Sequence, residues 1–178
     1  YILEFDSAGN AINRMDTADV EGDDVLAEMD SLAVDQNGYV YAIERVYWKG
    51  DHLEVHVIGG GEATGICGSG LIDAVAALLE AGALDETGRL QETHPLVDAQ
   101  GAILTQNVRL TQRDIRELQL AKGALYTGAK RMMKRLGYEK LDRVVLAGAF
   151  GSHINKEASM VLGMFPDCDL DKVYAVGN

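Results

Sequence analysis

The first amphipathic stretch of the chain lies between Cys67 and Gly82. Its apolar residues are Leu71, Ile72, Val75, Leu78 and Leu79. Spacings of three and four residues place these side chains on one face of a helix, so the pattern predicts a helix near 70–81. Gly82 is suited to end it, because glycine adopts the left-handed conformation that closes many helices.

A second and longer amphipathic stretch follows Thr111. The sequence Thr111-Gln-Arg-Asp114 has the pattern of a capping box, in which two side chains satisfy free backbone N–H groups at a helix start. Gly137 marks the end, so we predict a helix over 112–136. Its packed face is expected to consist of Ile115, Leu118, Lys122, Leu125, Ala129, Met132 and Leu136.

Short apolar runs after the second helix predict strands. Residues 144–147 have the pattern of a buried strand and residues 173–176 that of a final strand, with a short helix over 155–163 between them. From residue 46 onward strands, glycine turns and helices alternate, which is typical of the α/β class. We therefore predict a mixed sheet flanked by helices.

The N-terminal part of the chain predicts short strands instead. Residues 1–5 form one apolar run before a turn at 6–10, and Asn37-Gly38 separates the runs 31–34 and 39–43. Asn-Gly is a strong hairpin signal, because a type I′ turn needs positive φ at both central residues.

A second hairpin is predicted around Lys49-Gly50-Asp51, between the apolar runs 45–48 and 52–58. We expect a β-rich segment of uncertain origin over 1–45. We expect a second, α/β domain over 46–178.

Composition argues against several classes of protein. The chain is 47% hydrophobic, but no run approaches the 18 apolar residues of a membrane span, so we expect no membrane association. It starts at Tyr1 without a basic and apolar leader, so we expect no signal peptide. Only Cys67 and Cys168 are present, which favours a reduced, cytoplasmic protein.

Charge is distributed unevenly along the chain. The net charge is −12; residues 1–60 contribute −10, whereas residues 101–143 contribute +6. Overall acidity argues against nucleic-acid binding, which usually shows as a basic domain. The four histidines show no metal-ligand spacing, so we predict no metal site. No catalytic side chain can be named from the sequence.

Two glycine turns precede predicted helices. Gly68, Ser69 and Gly70 lie before the first helix, and Gly148, Ala149 and Gly151 lie after the strand 144–147. Glycines let the backbone approach a ligand, and a helix start offers free N–H groups to phosphate. Each pattern also suits an ordinary tight turn, and both interpretations stay open at this point.

Gln119 and Lys122 are the candidate polar ligands on the second helix. They lie three residues apart and so on neighbouring positions of one helix face. They could face a ribose and a phosphate, or they could belong to a solvated face.

The three motifs together resemble one family. They are GGGEATGICGSGLIDAVAALLEAGAL (59–84), LTQRDIRELQLAKGALYTGAKRMMKRLG (110–137) and DRVVLAGAFGSHINKEASMVLGMFPD (142–167). In this order they look like the C-terminal actin-like (ASKHA) ATPase domain of reductive activators of corrinoid proteins, which has a ribonuclease H-like lobe.

The resemblance implies specific expectations. ATP and Mg²⁺ are the expected cofactors, and a corrinoid protein of a methyltransferase system is the expected partner. The turn at Gly148 to Gly151 would contact adenosine, Gln119 and Lys122 the ribose side, and the turn at Gly68 to Gly70 would lie near the cleft. A homodimer is left open.

Departures from the family pattern qualify this picture. The phosphate loops Asp-x-Gly-Thr and Thr-Asn-Gly-Glu are absent, as is the ferredoxin-like domain that carries the iron–sulfur cluster. We therefore expect a partial sequence that alone neither hydrolyses ATP nor carries electrons. The alternative is a non-catalytic binding module, since residues 1–41 weakly resemble one blade of an NHL-type β-propeller.

Overall fold

A computed structural model describes residues 2–5, 11–15, 41–148, 151 and 153–176. The predicted strand at the N-terminus is confirmed as β1, Ile2–Phe5, which pairs antiparallel with β2, Ala11–Met15. The predicted turns at 6–10 and at Asn37-Gly38 lie outside the described residues.

A three-stranded sheet begins the larger described part of the chain. β3, Ala42–Trp48, pairs antiparallel with β4, Leu53–Val57, and parallel with β5, Gly65–Ile66. The hairpin predicted around Lys49-Gly50-Asp51 is confirmed.

The prediction of two separate strands over 39–43 and 45–48 is wrong. From Ala42 onward the strand is continuous, and the register with β4 shifts between Ile43 and Arg45. The shift is a β-bulge: β3 has one extra residue there, so it keeps its pairing with β4 although the alternation of apolar residues is interrupted. The predicted domain boundary between residues 45 and 46 stays a prediction.

Helix α1, Gly68–Glu80, packs against β3 and confirms the first predicted helix. Its buried face and β3 form the main core together with the loop that follows. The fully buried members include Ile43, Ala74, Leu78, Ala83, Ala102, Leu110 and Ile115. Burying such apolar side chains is the dominant favourable contribution to folding.

The connection between the two long helices contains a small antiparallel sheet. β6, Val97–Asp98, and β8, Arg109–Leu110, both pair with β7, Gly101–Ile103. Arg109 Nε donates to Asp98 Oδ2 at 2.7 Å, and the same carboxylate accepts the N–H groups of the β6–β7 turn. These bonds hold the turn in one conformation.

Helix α2, Gln112–Leu136, has the predicted ends. Thr111 and Asp114 form the capping box, and Gly137 closes the helix in the left-handed conformation with a φ of +76°. Both terminal signals are local, so each could act without tertiary contacts.

The predicted packed face of α2 is wrong in its second half. Leu125, Met132 and Leu136 are 58%, 64% and 69% exposed, whereas Met133 is buried. Met133 lies about five full turns after Ile115 at 3.6 residues per turn, so both share one side of the helix. The buried line therefore runs through these two residues, and the predicted face diverges from it along the helix.

The C-terminal part is a strand–helix–strand unit. β9, Val144–Ala147, pairs parallel with β10, Val173–Val176, and α3, Lys156–Val161, lies between them. The strand at 144–147 was predicted as buried, and this is wrong, because Val145 is 52% exposed. In the described residues only one partner strand lies beside β9, and only its other face, with Leu146, packs on a core cluster.

A second apolar cluster joins this unit to the helices. Its buried members are Ile72, Ile154, Ala158 and Met164, with Leu118, Leu146 and Leu162 packed against them. Leu118 of α2 also contacts the main core, so it links the two clusters. Sheets with helices packed on them confirm the predicted α/β class. Among the described residues, no helix is long and apolar enough to cross a membrane.

Candidate functional site

The turn at the start of α1 is tightly packed. A Cβ on Gly70 would lie 2.2 Å from the carbonyl oxygen of Ile43, so only glycine lets the helix approach β3 this closely. Ser69 is buried, and its Oγ donates to the Glu44 carbonyl at 3.3 Å. Packing alone therefore accounts for Gly70 and Ser69, and Gly68 is the exposed member of the predicted trio.

Gln119 contacts the protein through both ends of its amide. Its Nε2 donates to the carbonyl of Thr87 at 2.9 Å, and its Oε1 accepts from Arg116 Nη1 at 3.2 Å. A Cβ on Gly88 would lie 2.0 Å from Gln119 Nε2, so the loop before the small sheet sits directly on this side chain. Gln119 thus fastens a loop to α2.

That loop has its own internal order. The Asp85 carboxylate accepts hydrogen bonds from Thr87 Oγ1 at 2.7 Å and from the N–H groups of Thr87 and Arg89. These bonds, the Thr87 hydroxyl first, hold the pKa of Asp85 below its ordinary value. Gln112 of α2 bonds both Leu90 N–H, at 2.9 Å, and the Gly88 carbonyl, at 2.6 Å. The loop is therefore fixed against the start of α2.

A cavity of about 340 Å³ lies between this loop, α1, α2 and the end of α3. It is lined by Val75, Leu79, Leu84, Asp85, Glu86, Gly88, Ile115, Leu118, Gln119, Lys122, Val161, Leu162 and Met164. An apolar wall with a few polar groups is the usual composition of small-molecule sites, and the volume is within their range of about 300–1,000 Å³.

Lys122 is the one cationic side chain among the lining residues. A Cβ on Gly163 would lie 3.7 Å from Lys122 Nζ, so the ammonium group reaches across the cavity to the end of α3. The structure thus brings Gln119 and Lys122 together at one cavity, as the sequence predicted for neighbouring positions of a helix.

The turn after β9 begins at Gly148. It has a φ of +96°, and among the described residues no atom beyond its chain neighbours lies within 4 Å of a Cβ built on it. A Cβ on Gly151 would lie 2.7 Å from the Leu146 carbonyl, so this glycine permits a close backbone approach. Ala149 lies outside the described residues.

Neither glycine turn lines the cavity. The second apolar cluster links the turn after β9 to the cavity. Leu146, two residues before Gly148, packs on this cluster, and so do Leu118 and Leu162 of the cavity wall. The turn at Gly68 lies instead against β3.

A larger hollow, of about 820 Å³, lies between the β6–β7 turn and the start of α2. It is more open than the smaller cavity, and Arg89 and Arg113 line it with mostly polar neighbours. The capping box already uses the N–H groups of Thr111 and Asp114 at this helix start. We regard the smaller cavity as the better site because its wall is apolar and converges on Lys122.

Sequence reasoning missed one buried ionisable group. Asp73 of α1 is 1% exposed; its Oδ2 accepts from Val46 N–H at 3.4 Å and lies 3.8 Å from Arg45 Nη1. Burial raises the pKa of Asp73, and the Arg45 guanidinium is the largest opposing influence. Asp73 could have been noticed in the sequence, because it is an acidic residue between Ile72 and Ala74 in an otherwise apolar stretch of the helix.

The described residues contain no group of three or more His, Cys, Asp or Glu side chains placed to hold a metal ion. Cys67 and Cys168 are both free.

Comparison with known proteins places these features in context. Residues 31–178 match the family described as the C-terminal domain of RACo, the ASKHA domain. The corrinoid activation enzyme RamQ of Eubacterium limosum is 30% identical over 170 residues, covering 83% of this chain and 29% of that protein. The Co(II) methylated amine-specific corrinoid protein reductase of Methanosarcina barkeri is 30% identical over 121 residues, covering 67% of this chain and 21% of that protein. The chain therefore spans less than a third of these relatives.

Proposed function

The chain belongs to the family of the C-terminal ASKHA domain of RACo, and from this membership we propose that it is the nucleotide-binding part of an ATP-dependent activator of corrinoid proteins. One relative is named a corrinoid activation enzyme and the other a corrinoid protein reductase. In this proposal the parent protein returns an inactive cob(II)amide to the cob(I)amide state, and a corrinoid protein of a methyltransferase system is the partner.

The observation that carries the proposal is the cavity beside Lys122. In this proposal the cavity takes the ribose side of the nucleoside, where Lys122 supplies a positive charge. The purine would lie outside the cavity, on the turn at Gly148, where glycine carries no Cβ to block a flat ring. Gln119 supports the site by fixing the loop that forms part of its wall.

The described residues do not fit every group that the family uses. They contain no group of three or more His, Cys, Asp or Glu side chains placed to hold a metal ion, and two separate cysteines cannot supply the four thiolates of a typical iron–sulfur cluster. We propose that this chain binds the nucleoside with Lys122 on its phosphate side, and that Mg²⁺ binding and electron transfer belong to other parts of the parent protein. A cytoplasmic location fits this role.

The proposal can be tested by titrating the chain with adenosine. We expect weak binding, with amide NMR shifts at Lys122, Gly148 and Gly163. A purine-free ribose would serve as the control for nonspecific effects. Shifts confined to the β3–β4 hairpin, or no shifts at millimolar adenosine, would contradict the assignment of the cavity.

A further inference from the structure

Asp73 is the only charged residue that is buried in the described part of the chain. A buried ionised carboxylate costs free energy unless its oxygens are hydrogen-bonded. Replacing buried ion pairs by apolar side chains is often neutral or stabilising. Stability alone therefore gives no reason for an acid at this place in α1, and its contacts suggest another role.

The two carboxylate oxygens of Asp73 have different surroundings. Oδ2 contacts β3, through Val46 N–H and Arg45. Oδ1 is buried and has no hydrogen-bond partner among the described residues. Ile72, beside Asp73, and Ile154, beside Asn155, pack in the same apolar cluster, and the side-chain amide of Asn155 lowers the pKa of Asp73, which favours the ionised form. One oxygen is thus bonded to β3, and the other remains for a donor.

Asn155 carries a donor group that can match this oxygen. Its Oδ1 caps α3 by accepting the N–H of Ala158 at 3.1 Å, and its carbonyl accepts from Ser159. The side-chain NH₂ of Asn155 is a donor and takes no part in the cap. Asn155 can therefore cap α3 with one end of its amide and bind Asp73 with the other.

We propose that Asp73 is a positioning residue that ties the start of α3 to β3 and α1. Asn155 lies four residues after Gly151, so fixing Asn155 also restricts the position of Gly151. Val46 lies three residues after Ile43, whose carbonyl faces Gly70 at the other glycine turn. One buried carboxylate thus links the start of α3 to the strand against which Gly70 packs. That these turns serve a nucleotide rests on the proposed function; the link itself does not.

The test is amide hydrogen exchange on the whole chain without nucleotide. In Asp73→Asn only one side-chain oxygen remains, so the side chain cannot accept both from Val46 N–H and from the proposed donor, the Asn155 NH₂. We expect exchange at Gly148 and over 153–159 to rise about tenfold, while exchange in β6, β7 and β8 stays unchanged. Asp98→Asn is the matched control, because Asp98 is also paired with an arginine but lies in the small sheet.

A second variant keeps the test decisive if Asp73→Asn does not fold. Asn155→Ser keeps a good helix cap but removes the NH₂ donor, so it should raise exchange over the same residues. The double variant should show no further increase. Equal increases throughout the chain, or additive effects in the double variant, would overturn the link. Faster exchange at the turn in a chain that binds no adenosine would support the link and refute the proposed function.

Discussion

Gln119 on α2 donates a hydrogen bond from its side-chain amide to the backbone carbonyl of Thr87, at 2.9 Å. The family resemblance places Gln119 on the ribose side of a nucleotide, whereas in this structure both ends of the amide bind protein groups. A ribose role for Gln119 stays a prediction. The contacts present give it a structural role, as the residue that holds the cavity wall.

Replacing Gln119 by alanine should loosen the loop that contains Thr87. The Thr87 carbonyl would lose its partner, and the free energy of unfolding should fall by about 1 kcal/mol, the usual contribution of one hydrogen bond. Urea unfolding measures this. Gln106→Ala is the control, since Gln106 is exposed on another loop; equal losses in both variants would show that the contact contributes nothing.

Gly70 and Gly123 offer a matched pair of helical glycines. Gly70→Ala should destabilise the chain by roughly 1–3 kcal/mol, because its Cβ would overlap the Ile43 carbonyl and force α1 away from β3. Gly123→Ala meets open space and should stabilise by about 0.5–1 kcal/mol. Thermal unfolding of both variants decides this, and a tolerated Gly70→Ala would remove the packing explanation of that turn.

The ends of the two long helices could be predicted because their signals are local. Thr111 and Asp114 satisfy N–H groups within one turn, and Gly137 closes the helix by its own backbone conformation. The buried side of α2 could not be predicted, because it depends on where other elements meet the helix. Apolar residues were abundant enough to suggest a face that includes Leu125, which the fold leaves exposed.

The candidate site shows the same division. The sequence pointed to glycines at 70 and 148, but only coordinates separate a glycine pressed against a carbonyl from one with an open surface. It also suggested Lys122, which does line a cavity. Asp73 was missed because its significance lies in Val46 and Asn155, which are distant along the chain.

Asp85 should make the loop sensitive to acid. Its hydrogen bonds favour the carboxylate and lower the pKa in the folded chain below the ordinary value of 3.8. The stabilisation is therefore present above that value and is lost as the pH falls through the lower folded pKa. Asp85→Asn should make stability depend less on pH below about 4, as measured by urea unfolding. Glu86→Gln, at the next and exposed residue, is the control.

Lys122 should contribute to nucleotide affinity through its charge. Lys122→Ala should weaken binding of ADP about tenfold, since hydrogen bonds to charged groups contribute about 1.5–3 kcal/mol. Calorimetry measures the affinity. Lys134→Ala removes the same charge from an exposed position of the same helix. If the two variants bind equally, the cavity beside Lys122 does not hold the nucleotide.

Gly148 should provide the surface on which the purine lies. Among the described residues, no atom beyond the chain neighbours lies within 4 Å of a Cβ at this position, so the valine of Gly148→Val would fill the space proposed for the ring. Valine at a φ of +96° also strains the backbone. This loss of stability must be distinguished from steric blocking of purine binding. Gly82→Val is the matched control, because Gly82 has a φ of +75° and equally open space at the end of α1.

We expect both variants to lose similar stability and only Gly148→Val to abolish adenosine-induced NMR shifts. Adenosine shifts that persist in Gly148→Val would place the purine elsewhere.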